Sequence, residues 1–90
     1  MLRSVHIFVS GRVQGVFFRA SARTQAECLG LQGFAKNLMD GRVEIVVSGE
    51  PRAIEKFLIW CREGPVNAEI DEVSVEDCQP VDGCEGFSIY

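Results

Sequence analysis

The sequence predicts an α+β fold: two helices on one face of an antiparallel sheet, in the order β-α-β-β-α-β with a short extra strand at the C-terminal end. Three observations predict it. Val5, Ile7 and Val9, and later Val43, Ile45 and Val47, recur at every second residue, which is the period of a half-buried strand. Phe18, Ala22, Ala26 and Leu29, and later Ile54, Phe57, Leu58 and Cys61, recur at helical spacing. Glycine, proline and Asp-Gly pairs separate these stretches.

Each element follows in order. Val5 to Ser10 alternates and opens the chain as a strand. A glycine-containing loop leads to a helix over Ala20 to Leu29, with Gly30 placed as its C′ stop. Gln32 to Leu38 is short and mixed, as expected of a second strand. Met39-Asp40-Gly41-Arg42 is a hairpin signal, because Asp-Gly readily takes positive φ. The strand of Val43, Ile45 and Val47 follows. Gly49-Glu50-Pro51 opens the second helix, with Pro51 suited to its first position, and Gly64-Pro65 closes it. Val73 and Val75 mark an acidic fourth strand, Pro80 to Glu85 a loop, and Phe87 and Ile89 a short final strand. Two helices on one sheet is the economical packing for this order, the split βαβ or ferredoxin-like sandwich. The name describes shape alone, since many functions share it.

Ninety residues imply one domain, residues 1–90, which buries roughly 60–65% of its unfolded surface. A composition 47% hydrophobic and 24% charged argues against disorder. The net charge of −4 argues against a nucleic-acid module, which would show a basic face. The acidic residues gather late, in Glu69, Asp71, Glu72, Glu76, Asp77, Asp82 and Glu85. Arg3, Arg12, Arg19 and Arg23 give the first third the opposite sign. An anion can therefore be drawn locally to that region.

Four cysteines, Cys28, Cys61, Cys78 and Cys84, form no Cys-x-x-Cys pair, and His6 is distant in sequence. Structural zinc and iron–sulfur clusters do not fit this spacing. Cys28 and Cys61 fall in helical patterns and are expected to pack as small apolar groups. Cys78 and Cys84 are close enough to bridge a turn, which sequence leaves open. Neither a signal peptide nor a transmembrane run is visible. The expectation is a cytoplasmic protein with reduced thiols.

The chemistry concentrates in Gly11-Arg12-Val13-Gln14-Gly15-Val16-Phe17-Phe18-Arg19. Two glycines allow successive N–H groups to converge, and a helix start adds unpaired donors and a positive dipole end. Arg19 adds a planar cationic fork suited to phosphate or carboxylate. The segment reads as an anion cradle, or as a tight strand-to-helix connection with an exposed arginine. It is not a P-loop, because no Gly-Lys-Ser/Thr closes it. It is not a dinucleotide fingerprint either, because no third glycine follows Gly11 and Gly15 in register. Asn37 is the second candidate: its amide can accept from a water and donate to an oxyanion. On its own an asparagine there reads first as a turn cap. His6 is expected on a strand face, Arg12 as solvated charge, Trp60 as partly buried packing, and the acidic fourth strand as a charged edge.

Gly11 to Arg19, then Gly33-Phe34-Ala35-Lys36-Asn37 and Asp40-Gly41-Arg42-Val43-Glu44, resemble the acylphosphatases, and the resemblance covers nearly the whole chain. It implies that loop N–H groups and Arg19 hold a phosphate while Asn37 orients the attacking water. Gln14, Gly15, Val16, Phe17 and Phe18 would line the cradle. Two departures stand out. Phe17 occupies a position where many relatives carry glycine, and Phe34-Ala35 replaces a commoner Trp- or Tyr-Val pair.

Gly11 to Arg19 and Gly33 to Asn37 hold no carboxylate, histidine, serine or cysteine, and hence no evident general acid, base or nucleophile. An acyl phosphate suits such a site, because its carboxylate leaving group has a conjugate acid of pKa roughly 4 and needs no protonation. The resemblance implies hydrolysis of small acyl phosphates to carboxylate and inorganic phosphate, with no metal and no cofactor. The expected partners are that substrate and inorganic phosphate, with no nucleic acid and no membrane, for a monomer. The alternative is a non-catalytic ferredoxin-like module that binds a small anion for regulation. RNA binding on the sheet is disfavoured by the acidic balance and by few sheet aromatics.

Overall fold

The computed structural model describes residues 2–79 and 86–90. The elements are β1 (Arg3–Arg12), α1 (Phe18–Cys28), β2 (Gln32–Asn37), β3 (Val43–Gly49), α2 (Pro51–Glu63), β4 (Glu69–Asp77) and β5 (Phe87–Ile89). The expected loop over Pro80 to Glu85 and any Cys78–Cys84 bridge lie outside the described residues.

The strands form one sheet in the order β4-β1-β3-β2-β5. The first four pair antiparallel with their neighbours, whereas β5 runs parallel to β2. The sheet is therefore mixed rather than wholly antiparallel. The reason lies in where the chain leaves and rejoins it. Past β4, the Cys78 N–H donates to the Ser4 carbonyl at 3.1 Å. Ahead of β5, Gly86 accepts from the Gly33 N–H at 2.9 Å. Ser4 and Gln32 both pair with Ser48, so both junctions sit at one end of the sheet. A strand that starts there beside Gly33 must run in the direction of β2. The acidic β4 is an edge strand, where its carboxylates discourage further strand pairing.

Strand alternation decides which side is core. Val5, Ile7, Val9, Ala35, Val43, Ile45 and Val47 face the helices and are fully buried. Phe18, Ala22 and Ala26 of α1 and Ile54, Phe57, Leu58 and Cys61 of α2 close over them. Each fully buried aliphatic or aromatic side chain contributes about 1.5–3 kcal/mol relative to exposure. Trp60 is half-buried against this core, its ring 5.1 Å from Phe18 and 5.8 Å from Phe57. On the opposite face His6 Nε2 lies 2.7 Å from Glu44 Oε2, and its ring stacks on Phe8 at 4.5 Å.

Two expectations need correction. Cys28 is exposed rather than packed. The buried stripe of α1 runs through Phe18, Ala22 and Ala26 at intervals of four, and two residues beyond Ala26 a side chain has turned about 200° to the solvent side. Cys61 does pack, and burial pushes its thiol up to about 12. Gly11 belongs to β1 and not to the loop. The β1–β4 register shifts between Ser10 and Gly11, and a Cβ on Gly11 would meet the Glu69 carbonyl oxygen at 2.2 Å. Gly11 thus admits a bulge.

The helix stops were legible. Gly30 at φ 71° ends α1: its N–H donates to Glu27 at 3.2 Å, and the Leu31 N–H donates to Ala26 at 2.8 Å, the Schellman pattern. Gly33, ahead of Phe34, has a different reason. At φ 149°, a Cβ there would lie 1.8 Å from the Val46 carbonyl oxygen of β3. Gly33→Ala is expected to destabilise the fold by about 2–4 kcal/mol, read as a lowered urea midpoint.

Candidate active site

The site is built where β1 ends and α1 begins. Val13 and Val16 are buried and anchor the connecting loop to the core. Between and after them, Gly15 (φ 76°) and Phe17 (φ 61°) both take left-handed backbone conformations. Left-handed residues alternating with others curve a backbone so that its N–H groups turn to a common side. For glycine this is free, but for a phenylalanine it costs roughly 1–2 kcal/mol.

The start of α1 breaks two local rules of helix stability. None of the described side chains caps it, and its first turn has no acidic residue. Instead Arg19 places a cation at the positive end of the helix dipole. A missing cap costs about 1 kcal/mol and a misplaced charge about 0.3–1 kcal/mol. A bound anion would satisfy both defects at once, supplying acceptors for the first N–H groups and a counter-charge for Arg19. Local choices that lose stability cluster at functional sites.

Arg19 is held from a distant part of the chain. Its Nη1 donates to the main-chain oxygen of Tyr90, just past β5, while the Tyr90 N–H donates to Ala35 of β2 at 2.9 Å. The β2–β5 pairing therefore brings the guanidinium to the strand that carries Asn37. Asn37 ends β2 opposite the fully buried Val43, which places it on the helix-facing side of the sheet. Its Oδ1 is buried and has no hydrogen-bond partner among the described residues. Such an orphan acceptor costs about 1–3 kcal/mol.

The hairpin after Asn37 is tied to the loop. Gln14 Nε2 donates to the carbonyls of Leu38 (2.8 Å) and Arg42 (3.0 Å). Asp40 closes the turn: Oδ1 accepts from the Arg42 N–H at 3.0 Å and Oδ2 from Arg42 Nε at 2.8 Å. These bonds, the backbone one foremost, hold the Asp40 carboxyl below its ordinary range.

The result is a cleft of about 270 Å³ lined by Val13, Gly15, Phe17, Phe18, Arg19, Ala20, Asn37 and Ile89. The structure thus unites Arg19, Asn37, Gly15, Phe17 and Phe18 from the sequence motifs. The side chains of Gln14 and Val16 do not line it, because one staples the hairpin and the other is buried in the core. Ile89 and Tyr90 were missed, since nothing local in the sequence announces a parallel β5–β2 pair. Among the described residues no three His, Cys, Asp or Glu side chains are grouped to hold a metal. No described helix is long and apolar enough to cross a membrane.

Topology and cleft define a ferredoxin-like α+β protein with a cleft that joins Arg19, Asn37 and an uncapped helix start at one end of its sheet. A family model described as Acylphosphatase matches residues 5–89. An acylphosphatase of Rubrobacter xylanophilus is 48% identical over 97% of this chain and 79% of its own. The structure of an acylphosphatase from Coxiella burnetii superposes with a TM-score of 0.93, at 42% identity over 99% of this chain and 93% of that one. Full-length HypF, in its phosphate- and nucleotide-bound form, contains a similar unit: TM-score 0.91 and 31% identity over all of this chain but 12% of HypF. The chain belongs to the acylphosphatase family, whose reaction is the hydrolysis of acyl phosphates.

Proposed function

We propose that Arg19 and Asn37, with the backbone N–H groups from Gln14 to Arg19, carry the acyl phosphate hydrolysis of this protein, without metal or cofactor. The observation that supports it is the shared cleft. It places a cationic fork and an uncapped helix start beside a buried amide oxygen that lacks a partner among the described residues. The N–H groups and Arg19 neutralise the phosphoryl oxygens, whose charge must be stabilised as the bond to the leaving group loosens. Asn37 Oδ1 accepts a hydrogen bond from water and aims its oxygen at phosphorus. The new bond forms between that oxygen and phosphorus. The bond from phosphorus to the carboxyl oxygen breaks, and its electron pair leaves with the carboxylate. The water proton passes to a phosphoryl oxygen of the substrate. No general acid is required, because the leaving carboxylate is stable at neutral pH. The same reading has the protein act as a monomeric, single-domain cytoplasmic enzyme with no nucleic-acid or membrane partner.

The test is hydrolysis of benzoyl phosphate with and without EDTA, with inorganic phosphate as competitor. The expected result is turnover indifferent to EDTA and competitive inhibition by phosphate. Turnover abolished by EDTA would overturn the metal-free mechanism, and absence of turnover would favour an anion-binding module.

A further inference from the structure

We propose that the ring of Phe17 is the surface on which the acyl group of the substrate packs. The enzyme then favours acyl phosphates with an aromatic or bulky apolar acyl group over acetyl phosphate. The inference rests on the acyl phosphate reading of the same cleft.

The cleft contains polar anchors and apolar walls, and the walls differ in what they have left to bury. Val13 and Phe18 are 1% exposed and already sealed in the core. Phe17 also lines the cleft but is 80% exposed. It is the aromatic wall with a large apolar surface still in water. Its backbone makes the choice of residue more telling. At φ 61° and ψ 26° Phe17 sits in the left-handed region, where glycine would be unstrained. The conformation is held by the fold, since the Phe17 carbonyl accepts from the Ser21 N–H at 2.9 Å to begin α1. The ring gains no compensation from the protein itself, being exposed and outside every stacked aromatic pair among the described residues. A strained, unburied aromatic at the mouth of a cleft has its energetic return in what binds there.

Position supports the same reading. The N–H of Phe17 is one of the loop groups that would hold the phosphate, so its side chain branches from the cradle itself. The acyl substituent is bonded directly to the phosphate and must emerge near it. A cleft of about 270 Å³ lies below the roughly 300–1,000 Å³ of sites for drug-sized ligands, so it suits a small substrate. Covering part of an aromatic ring with an apolar group is worth roughly tenfold in kcat/KM.

The experiment compares kcat/KM for benzoyl phosphate and acetyl phosphate in the native enzyme, Phe17→Gly and Phe17→Asn. Both replacements tolerate the left-handed backbone, and the asparagine variant guards against a loop loosened by glycine. The ratio of the two substrates is the readout. A disturbed phosphate cradle alters both rates alike and cancels, leaving the acyl group. The expected result is a benzoyl-to-acetyl ratio lowered about tenfold in both variants. An unchanged ratio in variants that turn over either substrate would overturn the proposal while leaving acyl phosphate hydrolysis intact. Failure of the native enzyme on both substrates would overturn the hydrolytic reading and this inference with it.

Discussion

Arg19→Met is expected to lose phosphate binding and turnover together, with kcat/KM for benzoyl phosphate falling about 10³- to 10⁵-fold and inhibition by inorganic phosphate disappearing. The size follows from its position. Arg19 is the cation of the cleft, set in the first turn of a helix whose N–H groups no described side chain caps. Methionine keeps the aliphatic stem and removes the fork. The folded state should hardly notice. Arg19 opposes the helix dipole, so its removal returns about 0.3–1 kcal/mol, which offsets the lost bond to the main-chain oxygen of Tyr90. A urea midpoint near native would show that the lost activity is not lost folding. Arg19→Lys separates charge from geometry: phosphate still inhibits, weakly, but kcat stays low because a point charge cannot span two phosphoryl oxygens. Retention of native turnover within tenfold in Arg19→Met would remove it from the mechanism.

Asn37→Ala should split the two properties that Arg19 joins. Phosphate inhibition is expected to stay within about threefold of native, while kcat falls about 10²- to 10³-fold, the range for deleting one positioned polar group from a reacting centre. The reason is that Asn37 reaches the cleft from β2 and not from the loop, and its role is to hold water. Stability gives an independent signature. Its Oδ1 is a buried acceptor without a partner among the described residues, so alanine removes an unfavourable group and the protein should unfold no earlier than native. A variant that hydrolysed benzoyl phosphate at the native rate would sink the water-positioning role.

Much of the fold was legible because local chemistry and tertiary structure agree. Gly30, Pro51 and Gly64 punctuate the helices where the sequence puts them, and the period-two spacing of Val5, Ile7 and Val9 and of Val43, Ile45 and Val47 marks the helix-facing sides of β1 and β3. The misreadings have physical causes. Gly11 looked like a cradle residue because positive φ serves bulges and tight loops equally, and only the register shift against β4 distinguishes them. Cys28 sits in a helix, but whether it faces core or water depends on the angular position of the stripe. The Gln14 side chain has a task that its place in the loop motif does not announce: its amide bonds the Leu38 and Arg42 carbonyls and locks the loop to the hairpin.

The sequence by itself determined the element order, the helix-facing core and the two motifs that carry Arg19 and Asn37. Each of these depends on residues a few positions apart, whose spacing sets periodicity and turn chemistry. The tertiary structure alone decided how those motifs meet. Arg19 and Asn37 lie eighteen residues apart on different elements, and the contact that orients the guanidinium comes from Tyr90 through a parallel β5–β2 pairing. Strand pairing is a long-range choice, made by backbone hydrogen bonds that are nearly indifferent to side-chain identity. It leaves little trace in a single chain read locally.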